Sequence, residues 1–141
     1  LDGCVTGLGL VPTMEELKEH FAYADVFVQP GHNTRFNELR LPSKVMFYLA
    51  AGRPTITPAF GFGRMLEHRK DAYLFHDYQA GAIAEAILEL RAHAPLRAEI
   101  SRNAQVTARR LFDVRRTTPA FLALYRNAAS GRRPDRIPVK P

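Results

Sequence analysis

The sequence predicts an α/β fold, with a Rossmann-like parallel sheet and helices on both of its faces. Short apolar or β-branched runs alternate with longer segments of helical periodicity along most of the 141 residues. The apolar runs lack polar alternation, as in parallel strands that are buried on both faces. The stretch 41–57 joins a helix to such a run through a glycine. This alternation of strand and helix is typical of a parallel sheet covered by helices.

The first 29 residues predict two strands with a helix between them. Residues 4–6, Cys-Val-Thr, are expected to form a short strand. Thr13 and Glu16 have the spacing of a capping box, which starts a helix. The run 26–29, Val-Phe-Val-Gln, is ended by Pro30 and is typical of a buried parallel strand.

A polar loop, Pro30 to Arg40, leads into the helix around which the chain is organised. Pro42 suits the first turn of that helix, because the missing N–H of proline would have no partner there. Gly52 can adopt the left-handed conformation that ends a helix, and Pro54 prevents its continuation. Residues 55–57, Thr-Ile-Thr, then predict a central strand. In open α/β sheets, anions and nucleotides bind where a strand feeds such a loop and helix.

Beyond this strand, the glycine–aromatic loop 58–63 is expected to open a short helix from Arg64 to about His68. Its glycines allow a tight turn or the close approach of a ligand. Residues 72–75 predict the next strand, and Asp77 is a suitable N-cap for a helix over residues 78–92.

The end of the chain predicts two further helices and a tail. Pro95 begins the first helix, and Asp113 can cap the second, which Pro119 can kink. Residues 131–141 are rich in proline and arginine and lack apolar periodicity, so we expect a basic, disordered tail. Residues 1–130 are expected to form one partial domain.

Composition narrows the class of protein. The hydrophobic fraction of 46% and the interspersed charge exclude a wholly disordered chain. The net charge is +6, but half of it lies in residues 130–141, and no nucleic-acid-binding motif accompanies it. A nucleic-acid-binding module is therefore a hypothesis that the tail alone suggests. One cysteine, Cys4, fits a reducing compartment, so we expect a cytoplasmic location.

Other classes receive no support from the sequence. No apolar run approaches the ~20 residues that span a bilayer. The histidines are scattered, and none has zinc-ligand spacing with cysteine, so no metal site is expected. Because the first residue is leucine and a strand-like segment follows at once, we expect a fragment of a longer chain.

Several motifs, in their order, resemble the C-terminal half of GT-B glycosyltransferases. They are similar to the large retaining family that uses sugar nucleotides to build bacterial polysaccharides and glycolipids. The resemblance runs from about Val5 to Tyr125 and is most specific in the stretch with PSK and YLAAGRP. The motifs are VTGLGLVP, ELKEHFAYADVFVQPG, LPSKVMFYLAAGRPTITPAFGFG, DAYLFHDYQAGAIAEAI and ARRLFD.

The resemblance implies a donor domain, which binds a nucleotide diphosphate sugar in a cleft facing an acceptor domain. The reaction transfers the sugar to a glycan or lipid-type acceptor. The acceptor domain and the first strands of the donor domain would lie outside this chain, so the sheet is expected to lack its centre and the fragment to be inactive alone. No cofactor or metal is expected, because a helix N-terminus and basic residues can stabilise the leaving diphosphate.

Two further partners are compatible with the resemblance. They are a membrane surface for the full-length protein and another chain that pairs with unpaired strand edges.

The family has a glutamate at each end of a nine-residue span, and the second one binds the ribose. Leu39 and Phe47 occupy these positions here. Glu38, next to the first position, is the candidate catalytic residue and can contact sugar hydroxyls. Phe47 would present a ring to the ribose. Because both glutamates are replaced, the alternative hypothesis is a degenerate domain of this fold that binds without catalysis.

The candidate donor-binding residues lie in two loops and one helix. Lys44 and Ser43 are in the first helical turn, where a phosphate would meet both the cation and backbone N–H groups. Each candidate also has an ordinary alternative, such as a solvated lysine, a Glu38 paired with Arg35 or Arg40, or glycines that only form a turn. The full set is Gly31, His32, Arg35, Arg40, Ser43, Lys44, Phe47, Gly61 and Gly63.

Overall fold

The computed structural model describes residues 3–76 and 78–131. The helices in these ranges are α1 (Met14–Tyr23), α2 (Arg35–Leu39), α3 (Ser43–Ala51), α4 (Ala80–Ala92), α5 (Ala94–Phe112) and α6 (Val114–Ala129). The strands are β1 (Phe27–Val28), β2 (Thr55–Pro58) and β3 (Tyr73–Phe75), and a 3₁₀ helix spans Gly61–Met65. The predicted cap Asp77 and the predicted tail, apart from Gly131, lie outside the described residues.

The three strands form a parallel sheet in the order β1-β2-β3, as predicted for the fold class. Phe27 lies opposite Thr55, and Ile56 lies opposite Tyr73. Direct backbone bonds join the neighbours; the amide of Gln29, for example, donates to the carbonyl of Ile56 at 2.8 Å. The expectation of a sheet without a centre is therefore wrong for these strands. Each pairs with its successor, so further strands could join only at an outer edge.

Helices cover both faces of the sheet, because alternate strand residues point in opposite directions. On one face, Val45 and Leu49 of α3 pack with Ala104 and Ala108 of α5 and with Leu74 of β3. The other face has a second core with helix α4, whose members are Ile56, Phe75, Ala86, Leu90 and Ile100. Helix α5 contributes to both cores and thereby joins the two layers.

The helix α3 and its ends confirm the local prediction. Val45 and Leu49 have no exposed surface, which makes this helix the centre of one core. Gly52 ends the helix with φ = 69°, in the left-handed region that glycine adopts without strain. A Cβ there would also collide with the side chain of Gln105 on α5. The predicted cap of α1 forms as well, since the Thr13 hydroxyl accepts the Glu16 amide at 3.2 Å.

The strand predicted at residues 4–6 is wrong. The structure gives this segment no regular secondary structure, and the side chain of Val5 is 71% exposed. A strand is held by hydrogen bonds to a neighbour. No described strand lies beside residues 4–6, so β-branched residues alone do not order them there.

Two loop predictions also need correction. The polar segment 30–40 contains the short helix α2, which begins because the Thr34 hydroxyl accepts the amide of Asn37 at 3.2 Å. After β2, the 3₁₀ helix begins at Gly61 and ends at Met65, earlier than the predicted helix. Both short helices arise from local hydrogen bonds that a pattern of apolar residues does not show.

The last helix, α6, is capped as predicted. The carboxylate of Asp113 accepts the Arg115 amide at 2.9 Å. Pro119 lies inside the continuous helix, and none of the helix residues is buried. Phe121 and Tyr125 are 59% and 70% exposed, so α6 adds little to either core.

Candidate functional site

A groove opens at the carboxyl end of the sheet, where β1 ends and α3 begins. Its volume is about 330 Å³. Gln29, which directly follows β1, lines the groove, and so does the segment between α2 and α3. The lining residues are Gln29, Arg40, Leu41, Pro42, Ser43 and Lys44.

The groove combines three features that attract an anion. Pro42 precedes α3 without a side-chain cap, so the first N–H groups of the helix, including those of Ser43 and Lys44, have no intrahelical acceptor. The positive end of the helix dipole lies at the same place. Lys44 and Arg40 are exposed cations, and neither forms an ion pair within residues 3–76 and 78–131. These groups could bind a phosphate or diphosphate.

Arg40 is oriented by its neighbour on α2. Its guanidinium lies over the ring of Phe36, 5.3 Å from the centroid. This cation–π contact leaves the charge accessible, because Phe36 itself is 68% exposed. Arg35, also on α2, is exposed and does not line the groove. The structure therefore groups Arg40, Ser43 and Lys44, and it separates Arg35 from them.

A smaller recess of about 20 Å³ adjoins the groove. It shares Gln29, Arg40 and Pro42 with the groove and lies between the ends of β1 and β2. Gly31 and Gly63 line it, so the structure brings these two predicted residues to the edge of the same site.

Glu38 is engaged within the protein. Its carboxylate accepts the backbone amide of Gly61 at 3.1 Å and forms an ion pair with Arg64. Arg64 thus takes the place of the two expected partners, Arg35 and Arg40. Glu38 lines an apolar groove beside Phe62 and Phe121 instead of the groove that contains Lys44. In this arrangement it ties α2 to the 3₁₀ helix.

Phe47 lies on a different surface from Lys44. It is 41% exposed and lines an apolar groove of about 480 Å³ between α1 and α3, together with Leu17 and Phe21. Although the two residues are only three positions apart on α3, they line separate grooves. The predicted contact between Phe47 and a ribose stays a prediction.

His32 and the two loop glycines are held by neighbouring parts of the chain. The imidazole of His32 packs edge-on against Tyr78, with ring centroids 4.3 Å apart. A Cβ on Gly61 would collide with the carbonyl oxygen of Asn37, and one on Gly63 with that of Pro58. Glycine is thus required at both positions by close backbone packing, whatever else these residues contact.

Two residues of the site were not among the sequence candidates. Gln29 and Thr57 are polar side chains at the ends of β1 and β2, and they are 7% and 3% exposed. Both line the recess. A polar residue that ends an apolar strand is a usable signal, because ligands of parallel sheets bind at that edge.

The described residues contain neither a metal-binding cluster nor a membrane-spanning helix. No three histidine, cysteine, aspartate or glutamate residues of that part of the chain lie together as a metal site would require. Within the same residues, no helix combines the length and apolar character needed to cross a membrane.

A family model described as "Glycosyl transferases group 1" matches residues 1–93 of the chain. No curated protein matches this chain. The matched residues include α1 to α3, the three strands and both sides of the groove.

Solved structures share the fold. The C-terminal domain of the group 1 family protein LpcC from Francisella tularensis aligns with a TM-score of 0.61 and 18% identity, over 74% of this chain and 52% of that one. HepE from Anabaena in complex with UDP-glucose aligns with a TM-score of 0.63 and 17% identity, over 77% of this chain and 30% of HepE. The HepE complex with UDP aligns with a TM-score of 0.58 and 18% identity, over 77% and 30%. The chain thus spans about half of the LpcC domain and under a third of HepE.

Proposed function

Because this chain belongs to the group 1 glycosyl transferases, we propose that it forms the donor-binding part of an enzyme that transfers a sugar from a nucleotide diphosphate sugar. The proposed acceptor is a glycan or a lipid-type molecule. Residues 1–130 would form the partial donor domain, with 131–141 as a basic tail. The observation that carries the proposal is the groove in which the N-terminus of α3 meets Lys44 and Arg40.

The charges of the groove suit a leaving diphosphate. In sugar transfer from a nucleotide sugar, the bond between the sugar and the diphosphate breaks, and negative charge develops on the diphosphate. Backbone N–H groups of α3 and the two cations would stabilise that charge in the transition state. Ser43 adds a hydroxyl donor at the same helix end. These groups need no cofactor or metal for the task.

The donor-site candidates take unequal parts in this proposal. Arg40, Ser43 and Lys44 would bind the diphosphate, and Gly31 and Gly63 would border the adjoining part of the donor. His32 and Arg35 lie farther from the groove and would contact only a ligand that extends along the loop. Gly61 would act through the hydrogen bond that its backbone amide donates to the Glu38 carboxylate.

A degenerate, non-catalytic domain is the second candidate function, and one observation favours it. The carboxylate of Glu38, the proposed catalytic group, is bonded to Gly61 and Arg64. To contact a sugar hydroxyl it would have to share or exchange these partners. A domain that binds a nucleotide sugar without transferring it would retain the groove and lose only the reactive carboxylate.

The proposed partners follow from the same site. A nucleotide sugar is the ligand, and an acceptor domain outside this chain would close the cleft over it. A membrane surface for the full-length protein and another chain at an outer strand edge are further proposals. A cytoplasmic location is also a proposal, made because a single cysteine, Cys4, fits a reducing compartment. Nucleic acid is not proposed as a partner.

Calorimetry on the full-length protein with UDP tests the proposal. Lys44→Ala should weaken UDP binding by about 1–3 kcal/mol, the range for hydrogen bonds to charged groups. Lys18→Ala is the matched control, because Lys18 is an exposed lysine on α1 that lines a different groove. Its variant should bind UDP as the unmodified protein does.

Equal affinities of the Lys44→Ala variant and the unmodified protein would place the diphosphate elsewhere and overturn the proposal. The same measurement with a panel of nucleotide diphosphates would identify the base. Transfer of sugar by the full-length protein would then separate the enzyme from the degenerate binding domain.

A further inference from the structure

The recess beside the groove is lined by two buried polar side chains, and the family assignment leaves both without a role. Thr57 is the third of the four residues of β2 and is 3% exposed, and Gln29 follows β1 and is 7% exposed. Both side chains line the recess of about 20 Å³, together with Asn37 and Arg40. Burying polar groups costs free energy unless they find hydrogen-bond partners.

Thr57 differs in this respect from a second threonine on the same strand. Thr55 lies two residues earlier, on the same face of β2, and its hydroxyl donates to the carbonyl of Arg53 at 3.3 Å. The Thr57 hydroxyl has no hydrogen-bond partner among residues 3–76 and 78–131. Within those residues, no side-chain oxygen or nitrogen is both sealed from solvent and unpaired. The Thr57 hydroxyl must therefore reach the open space of the recess.

The side chain of Gln29 also has one polar atom that is free to form a hydrogen bond. Its amide nitrogen donates to the carbonyl of Pro30 at 2.9 Å. A carbonyl oxygen can only accept, so this bond fixes which end of the amide is the nitrogen. The other end, Oε1, is an acceptor without a partner in the described part of the chain. Gln29 lines both the recess and the groove, so an acceptor with free bonding capacity belongs to the residue at their junction.

Size and polarity limit what the recess can bind. A volume of about 20 Å³ exceeds the roughly 10–15 Å³ that one water-sized group needs. A phosphate or a sugar ring is too large for it. Thr57 can donate or accept, whereas Oε1 of Gln29 can only accept and would repel an anion. An alcohol hydroxyl fits both requirements, because it can donate to Gln29 and accept from Thr57.

We infer that Thr57 and Gln29 form a subsite that binds one hydroxyl group of the nucleotide sugar while its diphosphate lies in the adjoining groove. The inference rests on the proposed function, which places the diphosphate next to Lys44. It makes Thr57 and Gln29 specificity-determining residues, since a ligand without a hydroxyl at this position would leave both unpaired.

Binding of UDP and UDP-glucose to the full-length protein tests the subsite. Thr57→Val keeps the shape of the side chain and removes the hydroxyl. If the group bound is on the transferred sugar, this variant should bind UDP-glucose about three- to tenfold more weakly and UDP unchanged, as expected for one lost hydrogen bond. If the group is on the ribose, Thr57→Val should bind both UDP-glucose and UDP more weakly than the unmodified protein does. In that case the variant and the unmodified protein should bind 2′,3′-dideoxy-UDP, which lacks the ribose hydroxyls, with equal affinity. Thr57→Ser should restore binding.

Thr55→Val is the matched control, because it removes a hydroxyl from the same strand face away from the recess. Its affinity for both ligands should equal that of the unmodified protein. Unchanged binding by Thr57→Val would overturn the subsite, and so would an equal loss in Thr55→Val. If Lys44→Ala still weakened UDP binding in that case, the proposed function would stand without the subsite. If Lys44→Ala had no effect on UDP binding, the proposed function would be overturned, and the subsite, which rests on it, would be overturned as well.

Discussion

At the amino end of β3, polar side chains bond to one another, whereas at the carboxyl ends of β1 and β2 they face a groove. Asp71, just before β3, accepts the Thr107 hydroxyl at 3.0 Å and the Glu67 amide at 3.1 Å. Tyr73 donates to Glu89 at 2.5 Å, and Arg69 forms an ion pair with the same carboxylate. The bonds to Thr107 and Glu89 join a turn or strand to a helix, and the bond between Asp71 and Glu67 closes the turn before β3.

At the other end, the cations and hydroxyls lack such bonds. Lys44 and Arg40 have no carboxylate partner in the described part of the chain, and the side-chain hydroxyl of Thr57 has no hydrogen bond there. Both ends contain charged and buried polar residues, so composition does not distinguish them. The difference lies in whether donors and acceptors are paired within the protein. Paired groups stabilise the fold, and groups with remaining bonding capacity are available to a ligand.

The largest expected effect is at the paired end. Asp71→Ala removes the acceptor of two hydrogen bonds and leaves the Thr107 hydroxyl and the Glu67 amide without partners. Since Asp71 is 8% exposed, we expect the free energy of unfolding to fall by about 3 kcal/mol. Urea unfolding of the full-length protein, followed by circular dichroism, measures the loss. Asp71→Asn keeps one acceptor oxygen and should lose less; equal losses would contradict the role of the acceptors.

One threonine at each end of the sheet allows the two ends to be compared by the same substitution. Thr107→Val removes a buried donor to Asp71, and the expected loss in unfolding free energy is about 2 kcal/mol. Thr57→Val, at the unpaired end, should change the unfolding free energy by less than about 0.5 kcal/mol. Both threonines are 3% exposed, so burial is matched. A loss at Thr57 as large as that at Thr107 would mean that the Thr57 hydroxyl supports the fold.

Local signals in the sequence account for what could be predicted. Helix α3, its end at Gly52 and the strand β2 depend on residues within a few positions of one another, so the pattern identifies them. The cap at Thr13 is equally local. The strand predicted at residues 4–6 failed because a strand depends on a neighbour, which no local pattern supplies.

The parts that sequence reasoning missed depend on distant contacts. The ion pair of Glu38 is with Arg64, which follows it by 26 positions, whereas the expected partners were near in sequence. Gln29 and Thr57 are 28 positions apart and meet only because β1 and β2 pair in parallel register. The function of a polar residue in or next to an apolar strand can therefore be inferred only when the pairing of the strands is known.

The smallest expected effect concerns the pH dependence of the paired end. Bonds from Tyr73 and then Arg69 lower the pKa of Glu89 below its ordinary value. A carboxyl whose pKa is lowered by folding stabilises the fold above its unfolded pKa of about 4.3, and this contribution is lost as the pH falls through the folded pKa. Glu89→Gln should therefore flatten the decrease in melting temperature of the full-length protein between about pH 5 and 3. The change should be small, because Arg69 and Glu89 are 46% and 27% exposed and solvent screens the pair. Glu85→Gln, on the exposed side of the same helix, is the control and should leave the slope unchanged. An acid limb that is as steep in Glu89→Gln as in the unmodified protein would show that these bonds do not couple β3 to α4.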